Sequence, residues 1–97
     1  MYKGYANWDT FYTDSWAENN ELMYKRGQAL MAKFLRRQEN GTYDHVWAQK
    51  RIKHYFWEVH KVARVNGDMV DVTKIDWAEL EGIFFDRFAE YVRYNSK

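Results

Sequence analysis

The sequence predicts an all-α fold: a small compact bundle of about four helices, a short N-terminal one packed against three longer ones. Three observations carry this. Proline is absent from the 97 residues and the five glycines sit mainly at apparent breaks, which suits continuous helices joined by short connections. Apolar residues recur at spacings of three and four, the period of a helix with one buried face. Asn, Thr or Asp stands just ahead of each periodic run, where a side-chain oxygen can satisfy the free amides of a helix start.

Residues 1–6 form a lead-in. Asn7 caps a short helix from Trp8 to about Glu18, with Asp9 in the first turn, where the helix dipole favours negative charge. Trp8, Phe11, Tyr12 and Trp16 make one aromatic stripe along it. Asn19-Asn20 stops and restarts the chain, and Asn20 caps a second helix from Glu21 to about Gln38. Its buried stripe is Met23, Gly27, Leu30 and Phe34, flanked by Met31 and Leu35, while Lys25, Lys33, Arg36 and Arg37 lie mostly toward water. Asn40-Gly41 breaks this helix, and Thr42 is expected to cap the third.

The third helix, from about Tyr43 to Arg64, places Ala48, Ile52, Tyr55, Phe56, Val59, Val62 and Ala63 in one arc at roughly 100° per residue. Trp47, Lys50, Arg51, His54, Trp57, Glu58 and Lys61 fall on the opposite side. Two tryptophans on a basic face do not follow from packing within that helix. Either another element covers them, the aromatic N-terminal segment being the candidate, or they await a partner. Asn66-Gly67 ends the helix; the alternative is a small β-hairpin pairing Val62–Val65 with Met69–Val72 around it. Asp76 with Glu79 forms an Asp version of a capping box, with Ile75 placed as a staple. The last helix then runs from Trp77 to about Tyr94. Trp77, Leu80, Phe84, Phe88, Tyr91 and Val92 face inward, while Glu79, Asp86 and Glu90 point away.

The length makes residues 1–97 a single helical domain with a modest core. An aromatic share of 20% lets so short a chain bury much apolar area, and leaves too many tryptophans for all to be hidden. With no cysteine, disulfides and thiolate chemistry are excluded. Met1-Tyr2-Lys3-Gly4 leads into polar and aromatic residues without the apolar stretch of a signal peptide, and no run suits a membrane span; a soluble, cytoplasmic protein is the expectation. Charge is uneven. Residues 20–65 hold ten Lys/Arg against four Asp/Glu, and residues 66–97 hold four against seven. The two halves can attract one another, or the basic one can face an acidic partner.

The N-terminal run Asn7-Trp8-Asp9-Thr10-Phe11, with Trp16, Asn19-Asn20-Glu21 and Tyr24, fits the pattern N-W-(D/E)-T-(F/W)-x4-W-x2-N-(N/D)-E-x2-Y. It resembles a family of small uncharacterised proteins of bacteriophages and some bacterial genomes. Ile75-Asp76-Trp77-x-Glu79-Leu80 looks like that family's I/V-D/N-W-x-E-I/L segment near the C-terminus. The resemblance spans both ends of the chain, roughly a third of it, and leaves the middle unmatched. It implies a small phage-type accessory protein that binds a host protein and blocks or redirects it.

Catalytic chemistry finds no signature. His54 and Glu58 are one helical turn apart with His60 nearby, but His60 projects well round the helix and no H-E-x-x-H arrangement exists, so no metal is expected. Ser15 and Ser96 sit in an aromatic helix and at the chain's end, in no nucleophile elbow. Asp9, Asp14 and Glu18 suit helix-start electrostatics and solvation better than acid–base work. Gly27, Gly41, Gly67 and Gly82 are isolated, so no loop cradles phosphates. The expectation is a non-enzymatic protein with no cofactor. Trp47, Lys50, Arg51, His54, Trp57 and Lys61 are the candidate partner-binding residues, since exposed Trp and Arg supply binding hot spots. The alternatives are nucleic-acid binding by the same residues with Lys53 and Arg64, and a homodimer that hides the aromatics.

Overall fold

The computed structural model describes residues 1–95; Ser96 lies outside them. The chain folds into four α-helices, α1 (Trp8–Asn19), α2 (Glu21–Glu39), α3 (His45–Val65) and α4 (Trp77–Asn95), with a 3-10 turn at Val72–Lys74. This is the all-α bundle the sequence predicts, with helix bounds within two residues. No strand forms among the described residues apart from an isolated bridge between Tyr2 and Tyr5.

Both Asn-Gly pairs stop helices in the same way. After α2, Gly41 takes φ 71 and Thr42 donates its amide to the Arg37 carbonyl at 2.8 Å. After α3, Gly67 takes φ 92 and Asp68 donates to the Ala63 carbonyl at 3.0 Å. Each is a Schellman closure, in which a left-handed glycine turns the next amide back onto the last helical turn. This overturns two expectations. The hairpin around Asn66-Gly67 does not form, because Asp68 spends its amide on the helix end rather than on a ladder. Thr42 closes α2 instead of opening α3, and Asp44 caps α3 by accepting from the Val46 amide at 2.9 Å. Asn7 and Asn20 cap α1 and α2 as expected.

The core is one cluster centred on Phe34, whose ring meets the edges or faces of Trp47, Phe84 and Phe88 with centroids 5.5, 6.0 and 5.4 Å away. Met23, Met31, Ala48, Ile52, Phe56, Val59 and Leu80 belong to it, close to the arcs read from periodicity. Gly27 serves a close approach: a Cβ there would stand 2.8 Å from the Tyr55 hydroxyl oxygen. That hydroxyl donates to the Met23 carbonyl at 2.7 Å, tying α3 to α2.

The short helix α1 departs from its sequence reading. Its buried residues are Asp9, Thr10, Thr13, Asp14 and Ala17, while the aromatic stripe is only half-buried. A polar face can be buried only where each donor and acceptor finds a partner, and here they do. Asp71 donates its amide to Asp9 at 2.9 Å, and Asp76 donates its amide to the Thr10 hydroxyl oxygen at 2.9 Å. The Thr10 hydroxyl donates to Asn7 Oδ1, and Asn7 Nδ2 donates to the Lys74 carbonyl at 2.6 Å. The Ala6 amide donates to Glu79 Oε1 at 2.8 Å. Glu79 therefore does not point away from the protein, and the capping box at Asp76 is half-made: Asp76 accepts from the Glu79 amide, while the Glu79 side chain reaches the N-terminal segment. The two motif stretches at opposite ends of the sequence are thus bonded directly to each other. Among the described residues no buried side-chain nitrogen or oxygen lacks a partner.

Candidate functional site

The expected partner-binding residues all lie on the outward side of α3, between α2 and α4. Lys50, Arg51, His54 and Lys61 are exposed, Trp57 is 43% exposed, and Trp47 is half-buried. The structure does not gather them into one spot. Ten residues separate the tryptophans, which at 100° per residue sets them about 80° apart around the helix. Trp47 leans toward α2, where Phe34 meets its edge and the Arg37 guanidinium lies 3.9 Å from a ring centroid. Lys33 and Arg51 stand 5.8 and 5.6 Å from the same indole. Trp57 leans toward α4, against Trp77 at 6.2 Å and His60 at 4.6 Å. Among the described residues the rings stacked or tilted against these two indoles come from α2, α3 and the start of α4 rather than from the N-terminal aromatic segment, the expected cover.

Two patches result. The first is Trp47 with Lys33, Arg37 and Arg51, cations around a half-open indole. Such contacts are each worth roughly 0.5–1 kcal/mol at exposed sites, which biases the cations toward the ring. Lys33 and Arg37 belong to α2 and were read from sequence only as solvated charges; their i,i+4 spacing was the available signal. The second patch is Trp57 with Trp77, two indoles beside the exposed His54 and Lys61.

Of the histidines, His54 stands 3.9 Å from Glu58 on the surface. His60 is buried, with Nδ1 2.6 Å from the Trp57 carbonyl. They are not brought together, and among the described residues no group of three or more His, Asp or Glu side chains could hold a metal ion.

A second constellation escaped sequence reasoning. Asp14, only 1% exposed, receives both terminal nitrogens of Arg87 at 2.6 and 2.8 Å, and the Tyr5 hydroxyl donates to it at 2.6 Å. Arg87 Nε donates to Glu18 at 2.8 Å. The expectation that Asp14 is solvated is overturned: it is the anchor of α1 on α4. Burial works against the Arg87 charge, but Asp14 and Glu18 outweigh it, and the guanidinium is held charged more firmly than usual. Tyr5 is pushed up to about 12 by burial and by its bond to Asp14. Burial pushes Tyr55 higher still, with Glu18 and Asp14 adding to it.

Beside this network α1, α2, α3 and α4 enclose a cleft of about 400 Å³. Tyr24, Tyr55, Tyr91 and Tyr94 line it, with Glu18, Arg87 and Glu90 among its walls. No spacing in the sequence announces this, because the walls come from all four helices. Only Arg87, Glu90, Tyr91 and Tyr94, at three- and four-residue steps on one helix, were visible as a local group.

No helix among the described residues is long and apolar enough to cross a membrane. Comparison of the chain with protein-family models, with curated proteins and with solved structures finds no match.

Proposed function

We propose that this is a non-enzymatic accessory protein of the phage type its two motifs imply, binding and modulating or inhibiting a host protein in the bacterial cytoplasm. The observation that carries the reading is the cluster of Lys33, Arg37 and Arg51 around Trp47, with Lys50, His54 and Lys61 exposed along the same helix. A partly open indole ringed by cations is suited to an acidic protein surface: the ring supplies apolar area and the charges steer encounter. Nucleic acid is the weaker reading. Arg37 already occupies a face of Trp47 at 3.9 Å, so that indole is not free to stack on a base, and the net charge is only +1.

The test pairs affinity capture from bacterial lysate with a gel shift. The double variant Lys50→Glu, Arg51→Glu changes exposed side chains and should cost no more than about 1 kcal/mol of stability per site. The expected result is one acidic host protein retained by the wild type and lost by the variant, with no shift of DNA or RNA at low salt. Equal capture by both proteins, or a salt-sensitive shift that the variant abolishes, overturns the reading.

A further inference from the structure

We propose that the cleft between the helix ends is a binding site for a small organic cation, an ammonium or guanidinium group on a short carbon stem. It is separate from the Trp47 surface and does not depend on the function assigned to that surface.

The argument starts from volume and lining. A space of about 400 Å³ falls within the range of small-ligand sites. Its walls carry four tyrosine rings, from Tyr24 on α2, Tyr55 on α3, and Tyr91 and Tyr94 on α4, with Phe84 at the floor. Aromatic faces carry negative quadrupole density and attract cations, which is why several rings around one space recognise alkylammonium groups.

Charge points the same way. Glu18 and Glu90 line the cleft. Among the described residues the one cation in the lining, Arg87, is already committed, with two bonds to Asp14 and one to Glu18. Asp14, Glu18 and Glu90 against Arg87 leave the region negative. An anion entering would face two carboxylates and a guanidinium already paired. A cation would meet carboxylates and ring faces.

Access and rigidity differ across the site in a way that suits capture. Tyr55 is fixed by its bond to the Met23 carbonyl, and Glu18 is held by Arg87. Tyr24 and Tyr94 are exposed, at 45% and 80%, and can close over a ligand. The inner wall is therefore preformed and the outer wall adjustable.

The experiment is an amide-resolved NMR titration of the full chain with choline, butylamine and butylguanidine, against 3,3-dimethylbutan-1-ol, the uncharged analogue of choline. Nα-acetyl-lysine methylamide serves as a fifth probe. The expected result is saturable shifts at Tyr24, Gln28, Glu90 and Tyr91 with at least one cation, at a Kd of about 10 mM or tighter. The alcohol should bind at least about tenfold more weakly. Glu90→Gln and Tyr94→Ala change exposed side chains, should leave the melting temperature unchanged, and should each weaken binding about five- to tenfold. If the lysine derivative binds as well as butylamine, the cation comes from a protein side chain. If it is excluded while free amines bind, the ligand is a small amine. Equal binding of the alcohol, shifts at these residues with acetate, no saturable binding of any cation, or unchanged affinity in both variants overturns the proposal.

Discussion

Asp14 and Arg87, 73 residues apart in sequence, meet through two parallel hydrogen bonds while Asp14 is almost wholly withdrawn from water. A carboxylate in that position is tolerable only while its partner is present. Arg87→Met should therefore cost roughly 3 kcal/mol, the low end for a broken buried pair because Arg87 keeps one edge in solvent. Replacing both, with Asp14→Leu and Arg87→Met, should recover part of that loss, since no buried charge is stranded: Glu18 and the Tyr5 hydroxyl lose a partner but keep access to water. Urea denaturation of the wild type, both single variants and the double variant measures the coupling. Additive losses would show that the pair is not what fixes α1 to α4.

Gly27 tests the tightness of the α2–α3 contact. In an open helix Gly→Ala gains about 1 kcal/mol, but here the new methyl would meet the Tyr55 hydroxyl at 2.8 Å, and that hydroxyl is held by the Met23 carbonyl. The expected result for Gly27→Ala is a net loss of about 1–2 kcal/mol. Introduced into Tyr55→Phe, where the obstructing oxygen is gone, the same change should be nearly neutral. Thermal melts of the four proteins decide it, and a stabilised Gly27→Ala would mean that α2 and α3 separate easily.

Alkaline pH should unfold the protein earlier than acid–base balance alone suggests. Tyr5, Tyr12, Tyr43 and Tyr55 all have folded-state values above the ordinary 10.0. Their neutral forms are favoured by folding, so this stabilisation is complete below about pH 10 and is lost as pH rises through the raised values, about 12 for Tyr5. Asp71 works at the other end. Its carboxylate, held below the ordinary 3.8 by hydrogen bonds from Thr73, contributes above that value and is lost as pH falls through its lowered one. Melting temperature should be level between about pH 5 and 9 with respect to these groups and fall steeply beyond pH 10. Tyr5→Phe should lower the plateau, by removing the bond to Asp14, and soften the alkaline fall. A plateau extending to pH 12 would contradict the assignment.

The long helices were legible because apolar periodicity and capping act locally. Met23, Phe34, Ile52, Phe56, Leu80 and Phe84 are buried where a period of 3.6 puts them. α1 was legible only in part, for a physical reason. Its aromatic stripe packs half-buried against the core, but Asp9 and Asp14, expected to be solvated, turn inward with Thr10 and Thr13, because backbone amides at Asp71 and Asp76 and the Arg87 guanidinium meet this face. Hydrophobicity ranks side chains by what they avoid; it carries no record of which distant donors are on offer. The face of α3 was legible as a list but not as an arrangement. Trp47 and Trp57 share a polar side in projection, and only the positions of α2 and α4 show that they serve different neighbours. The tyrosine-lined cleft was invisible for the same cause, since its walls meet only in three dimensions.

The bonds joining residues 6–10 to residues 71–79 also bear on the order of folding. Every one of them closes a loop of more than 60 residues, and the entropy of so long a closure must be met before any of these bonds contributes. The α2–α3 pair, linked by a short turn and packed on Phe34, has no such delay. The bonds between residues 6–10 and residues 71–79 are therefore expected to form late, as a latch whose catch is made only after the start of α4 is in position. Changes at Thr10 or Asp76 should therefore speed unfolding and leave the folding rate almost untouched.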